Sequence, residues 1–313
     1  MTTVAPPQAP EELGRDERRR LSQASRAERR FGWLLCAPAV IVMAAVAFYP
    51  IGYALYLSLQ RYDLRFPRDT HFVGLSNYGA VLSSSIWWHA FVVTVIITVI
   101  SVAVELVLGM AFAMLLYYAP LWRGLVRTSI LLPYGIVTVA AAYSWQFAWT
   151  PGVGYLANLL PAGSAPLTGQ WQAVGLIILA EIWKTTPFMT LLLLAGLTLV
   201  PDELQRAAKI DGASGWQRFT QVMLPLMKPA ILVALLFRTL DAFRIFDNIF
   251  ILTKGNNGTG SVSILGYDNL FTALNLGIGS TVSVLILISV AIIAFIFIKL
   301  FGTAAPGTAL ERR

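Results

Sequence analysis

The sequence predicts an all-α polytopic membrane protein with six transmembrane helices and both termini in the cytoplasm. Of its 313 residues 57% are hydrophobic and only 12% charged, with a mean hydropathy of +0.69; a soluble domain carries about 25% charged residues. Six segments, 33–59, 90–117, 124–149, 173–200, 229–253 and 279–301, are each apolar over the roughly 20 residues that a bilayer crossing needs. They are continuous apolar runs, not the alternating segments of about ten residues that build a membrane barrel, so the crossings are helical.

Lysine and arginine set the orientation, since cytoplasmic loops carry the excess. With the N-terminus inside, the inner segments hold seven basic residues in the first 30, then Arg123, Arg127, Arg206, Lys209, Arg218, Lys228, Lys299, Arg312 and Arg313. The outer loops hold only Arg61, Arg65, Arg68 and Lys254. Residues 1–32 mix this basic charge with Glu11, Glu12, Asp16, Glu17 and Glu28 and carry few aromatics. They read as a disordered cytoplasmic tail, too long and too charged for a signal peptide, and 302–313 as a second tail. The net charge of +7 therefore belongs to membrane topology, and no nucleic-acid partner is expected. A lone Cys36 excludes a disulfide framework, and His71 and His89 have no second ligand at metal spacing, so no metal site is expected.

The outer loops are 60–89 with "FVGLSNY", the uncharged 150–172, and 254–278 beginning "KGNNGTG". Their Gly, Asn and Pro clusters mark turns, and Trp87, Trp88, Trp149 and Trp171 suit the interfacial belt.

The inner segment 201–228 is polar between two very apolar runs. Pro201 can open a helix with Asp202 and Glu203 at the positive end of its dipole, and Gly212 can stop it. Ser214, with Gln217 three residues on, forms a capping-box pattern for a second helix that should end at Pro225. The product is an elbow exposing Arg206, Lys209, Asp211 and Arg218 beside Leu204, Ile210, Trp216 and Phe219. It either docks on a partner or lays its aromatics on the membrane face.

Within it, "RAAKIDGASGWQRFTQVMLP" resembles the EAA loop of ABC importer permeases. Ala207, Ala208, Gly212, Leu224 and Pro225 fall at the family spacing, with Val222 for the usual Ile. Arg206 stands where the pattern has Glu, reversing a charge. The runs "APAVIVMAAVAFYPIGYALYLSL", "LLPYGIVTVAAAYSWQFAW" and "FRIFDNIFILTKG" are similar to sugar-importer permeases of the maltose and glycerol-phosphate type. "EIWKTTPFMTLLLLAGL" with "FRTLDAFRIFDN" and "SVSILGYDNLF" resembles the trehalose-importing permeases of actinobacteria.

The resemblance implies a type I ABC importer permease fold over 33–301 and alternating access for a disaccharide. It implies a second homologous permease subunit, two ATPase subunits and an extracytoplasmic sugar-binding lipoprotein, all set among membrane lipids. The elbow is then the coupling helix, with Arg206, Ala207, Ala208, Lys209, Asp211, Gly212, Trp216 and Phe219 facing the ATPase. The chain has no Gly-x-x-x-x-Gly-Lys-Ser/Thr phosphate loop, so it needs no cofactor of its own; ATP and Mg belong to the ATPase subunits, and no catalytic residue is expected here.

An ionisable residue near the bilayer centre costs roughly 2.5–3.5 kcal/mol on insertion scales and marks a functional site by default. Seven qualify: Glu105, Glu181, Lys184, Arg238, Asp241, Arg244 and Asp247. Counted at about 1.5 Å per residue, Glu181 and Lys184 reach the depth of the fifth-span charges. They are expected to meet Arg244 and Asp247, or Arg238 and Asp241, across a polar cavity with Thr185 and Asn248 beside them. Glu105 has no visible partner and reads as a helix-packing group. Tyr143, Trp145, Gln146 and Trp149 could offer rings and amides to a sugar, and Pro187 frees a carbonyl. Two readings of the charges stay open, direct sugar contact and purely structural or gating pairs. The competing function class is an ion-coupled secondary transporter or a membrane-embedded enzyme that uses the buried carboxylates.

Overall fold

The computed structural model describes residues 15–118, 123–161 and 163–301. The chain divides into two compact units, residues 1–54 and 55–313. The first unit is the body of helix α1 (Arg15–Ser58). The helix begins at Arg15, inside the stretch 1–32 expected as a tail; residues 1–14 and 302–313 lie outside the described residues. The stretch from Arg15 to Phe31 contains neither Gly nor Pro and is rich in Arg, with Glu17, Glu28, Ala24, Ala27 and Leu21 among them. Such residues extend a helix cheaply once an apolar segment has nucleated it.

The second unit carries the other spans. A short antiparallel pair, β1 (Gln60–Arg61) and β2 (His71–Phe72), and helix α2 (Ser76–Ser83) form the connection between the first and second crossings. Asn77 anchors it by donating to the carbonyls of Ser58 and Gln60 at 2.9 and 2.8 Å. The second crossing is α3 (Ser85–Tyr118) and the fourth is α6 (Gln170–Thr198). The last is α12 (Leu276–Phe301).

The third crossing is not one helix. It splits into α4 (Arg123–Gly135) and α5 (Thr138–Ala148), bent by 90°. Pro133 removes an N–H and collides with the carbonyl four residues back, and Gly135 weakens the last turn. With the bent pair taken as one span, the described residues hold six apolar crossings.

The elbow is built as its caps require. Helix α7 (Asp202–Ile210) has Pro201 at the N-cap, and Gly212 reverses the chain at φ +82°. Ser214 then caps α8 (Gly215–Gln217): Gln217 N–H donates to Ser214 Oγ at 3.2 Å, and Ser214 N–H to Gln217 Oε1 at 2.8 Å. The second limb does not end at Pro225. It passes through a π-helical turn, Arg218–Met223, into α9 (Leu224–Ala242). Leu224 N–H bonds to Phe219 O five residues back, and this wider turn makes room for the Pro225 ring that a regular helix would reject.

The fifth crossing breaks again. After α9, residues 243–246 leave the helical ladder, and α10 (Asp247–Leu252) resumes it. No Gly or Pro lies at this break; the freed carbonyl of Ile245 is instead met by buried Ser261 Oγ at 2.9 Å. Irregular backbone survives at membrane depth only when other protein groups satisfy it. Ser261 caps α11 (Val262–Tyr267) as well.

The core between α3, α6 and α9 is formed by Val102, Met110, Ala113, Met189, Leu193, Leu197, Met227 and Ala234. A second cluster, with Ile97, Ile177 and Ile249, packs α3, α6 and α10 at the end of the bundle away from the elbow.

Candidate functional site

The two breaks border one opening together with α6. Between them opens a cavity of about 670 Å³, lined by Tyr134–Thr138 of the α4–α5 bend, by Glu181, Lys184 and Thr185 of α6, and by Asp241 and Arg244–Asn248 of the α9–α10 break. Sites for small ligands span about 300–1,000 Å³.

Behind the cavity lies a buried ion cluster. Arg238 is fully buried and donates to Glu105 Oε2 through Nε at 2.5 Å and to Glu105 Oε1 through Nη2 at 3.0 Å. Nη2 also reaches Glu181 Oε1 at 2.6 Å, and Nη1 reaches Asp241 Oδ2 at 2.7 Å. Thr185 Oγ1 accepts from Arg238 at 2.9 Å, and Asn248 Nδ2 donates to Glu181 Oε2 at 2.5 Å. Two carboxylates this deep are tolerable only with a cation and a full set of donors. Glu105 is therefore not the unpaired packing group expected from sequence. It is a bidentate partner of Arg238, and their separation of 133 positions hides the pair from any local pattern.

The expected pairing of Glu181 with Arg238 and Asp241 is present through Arg238. The alternative with Arg244 and Asp247 is not: both are exposed on the cavity wall and form no ion pair among the described residues. The helix break explains this, because the three-residue spacing keeps charges on one face only while the helix continues. Arg244 instead donates through Nε to Leu240 O at 3.2 Å. Lys184 also departs from expectation. Its ammonium caps the end of α4, donating to the carbonyls of Pro133 and Tyr134 at 3.0 Å each and to that of Ile136. These carbonyls are orphaned by the bend, and a cation at a helix C-terminus is their natural partner.

Tyr143, Trp145, Gln146 and Trp149 do not line the cavity. Tyr143 is exposed, Trp145 packs edge-on against Trp183 at 5.9 Å, Gln146 donates to Ile251 O at 2.6 Å, and Trp149 is half-buried. The bend turned α5 away from the axis of α4, so rings counted along one straight helix miss the opening. Tyr134 and Phe246 supply the aromatic faces instead. Pro133 and Gly135 were the sequence signal for this.

At the elbow, Ile210 is 86% and Trp216 71% exposed, with Leu204 also exposed and the Trp216 and Phe219 rings 5.7 Å apart. Arg206, Ala207, Lys209 and Asp211 are exposed with them, while Ala208 and Arg218 are half-buried. Gln205 is the inward residue of α7. This is a capped helix pair with large apolar side chains left in the open.

The profile described as "Binding-protein-dependent transport system inner membrane component" matches residues 79–304. The chain belongs to this family. The match begins inside α2 and takes in both the cavity and the elbow. Among relatives of this permease, the trehalose transport system permease protein SugA of Mycobacterium tuberculosis (strain CDC 1551 / Oshkosh) is 64% identical over 281 residues, covering 90% of this chain and 92% of the relative. The trehalose/maltose transport system permease protein MalF of Thermococcus litoralis is 38% identical, covering 87% and 94%. The fold is also that of a bacterial ABC transporter involved in the import of the acidic polysaccharide alginate, with a TM-score of 0.76 at 20% identity over 90% of this chain and 98% of the other. The permease is thus a non-catalytic inner-membrane subunit of an ABC transporter.

Proposed function

We propose that this chain forms half of the translocation path of an ATP-driven importer for a neutral disaccharide, trehalose foremost. The observation that carries the reading is the open apolar face of the elbow, Ile210 and Trp216, on a chain whose sequence has no phosphate loop. Large apolar side chains left exposed on a folded, capped element mark a docking surface, and the docked partner is the ATPase that the chain itself lacks. The full assembly is a heterodimer with a second permease subunit, two ATPase subunits that bind ATP and Mg, and a sugar-binding lipoprotein outside. Both termini and the elbow lie in the cytoplasm.

The substrate class is supported by the cavity and by the relatives' names. Arg238 is saturated by carboxylates, which removes it as an anion site. What the cavity offers is Asp241, Arg244 and Asp247 in exposed positions with the rings of Tyr134 and Phe246, a set suited to hydroxyl groups and pyranose faces.

The test is ATP-dependent uptake of labelled trehalose by the reconstituted complex, with other disaccharides as competitors. Asp241→Asn is expected to reduce uptake by at least about tenfold, the order of one charge-assisted hydrogen bond, with the complex still assembled. Solute accumulation by the permease alone under a proton gradient would reject the importer in favour of an ion-coupled carrier.

A further inference from the structure

The cavity wall and the cluster behind it bring together the carboxylates of Glu105, Glu181, Asp241 and Asp247 and the cations of Lys184, Arg238 and Arg244. They are matched unevenly. Arg238 is shared among Glu105, Glu181 and Asp241, while Arg244 and Asp247 stand exposed on the wall. Lys184 is the exception: it is buried, yet it forms no ion pair among the described residues. It donates instead to the backbone carbonyls of Pro133, Tyr134 and Ile136. Three acceptors use every N–H of an ammonium and exceed the two that a neutral amine has.

The last carbonyls of α4 carry the negative end of its dipole, equivalent to roughly half an elementary charge, and residues 134–138 of this bend line the cavity. Lys184 cancels that pole where it meets the opening. Without Lys184, bare carbonyls would join Glu181, one turn away on α6, and Asp241 and Asp247 in the same lining. Arg244 would be left as the one lining cation to oppose them among the described residues. The same side chain also fixes a ring. Lys184 Nζ lies 5.6 Å from the centre of the Tyr134 ring, which stacks on Phe188 at 5.7 Å with 21° between the planes.

We propose that Lys184 is a specificity-determining residue of the cavity, through which neutral sugars pass and cationic sugars, amino sugars above all, are turned away. The inference rests on the importer reading. A neutral sugar hydroxyl can donate to Asp241 or Asp247 and accept from Arg244 without bringing a charge into the cavity. An ammonium in a hydroxyl's place finds the same carboxylates, but it must also approach a fixed cation that has no acceptor to offer it. Like charges repel strongly where water is scarce, and a repulsive element set against the wrong ligand is one of the two ways a site gains selectivity.

The experiment compares trehalose with an amino-substituted trehalose in its ammonium form as substrates of the reconstituted complex, with its ATPases and binding protein. Lys184→Met removes the charge and all three hydrogen bonds, Lys184→Gln removes the charge and keeps two N–H donors, and Lys184→Arg keeps the charge. One binding protein serves every variant, so its own preference cancels when variants are compared. Both neutral variants are expected to raise kcat/KM for the ammonium sugar relative to that for trehalose by about tenfold, the order of one unit charge acting across several ångströms of protein. Lys184→Arg is expected to keep the parent ratio. A merely structural cap would slow both substrates together and leave the ratio where it was. That result, or an equal shift in Lys184→Arg, overturns the proposal; so does failure of both neutral variants to assemble, which assigns Lys184 to folding alone. Trehalose uptake by the unsubstituted complex checks the importer reading separately. Its absence rejects that reading, whereas its presence with an unchanged ratio in the variants rejects only the charge selection.

Discussion

Arg238 divides its guanidinium among three carboxylates, Glu105 at 2.5 Å, Glu181 at 2.6 Å and Asp241 at 2.7 Å, yet the three bonds are not equivalent. Glu105 is fully buried and Glu181 nearly so, whereas the Asp241 side chain is 62% exposed. Removing one partner of a buried pair leaves an uncompensated charge at a cost of about 3–5 kcal/mol, while an exposed pair contributes about 0–1 kcal/mol. Arg238→Ala is therefore expected to destabilise the folded protein by the larger amount, read as a lowered unfolding temperature and loss of assembled complex. Asp241→Asn is expected to leave the unfolding temperature close to that of the parent. The two neighbours in one cluster thus separate stability from transport. Sequence reading offered Arg238 and Asp241, beside Arg244 and Asp247, as partners of Glu181 and Lys184 because their spacing and depth agree. It missed Glu105, since nothing in the local pattern of α3 names a partner 133 residues away.

At the scale of elements, the caps were legible, the α4–α5 bend left a signal in Pro133 and Gly135, and the break after α9 left none. The Ser214 and Gln217 box and the Gly212 turn depend on residues within one turn of each other, and both form as the pattern requires. The second limb's continuation past Pro225 depends on a π turn that no short motif announces. The break at 243–246 has no Gly or Pro and is held from outside by Ser261 and Asn248. Close packing of α6 on α9 is equally an element property. Gly196→Ala would gain about 0.5–1 kcal/mol of helix propensity but would drive a methyl against Ala230 at 2.5 Å, an overpacking of about 1–3 kcal/mol. The net effect is expected to be destabilising by about 1 kcal/mol, checked by thermal unfolding of the purified permease beside its parent.

For the whole molecule, orientation decides which side receives the sugar and which the ATPase. In a Cys36→Ser background, Phe72→Cys of the first outer loop is expected to react with a membrane-impermeant thiol reagent on intact cells. Ile210→Cys of the elbow is expected to react only after the membrane is opened; both positions are well exposed. The reverse pattern would invert the topology. The sequence by itself determined the membrane class, the six crossings, the polar elbow and its caps, because run length, side-chain period and capping are local properties of the chain. Only the tertiary structure decided that Glu105 pairs with Arg238, that Lys184 caps the broken end of α4, and that α5 turns its aromatics away from the cavity. The physical reason is the same in each case: a buried charge or an orphaned carbonyl takes whichever partner the packing of distant helices brings within about 3 Å.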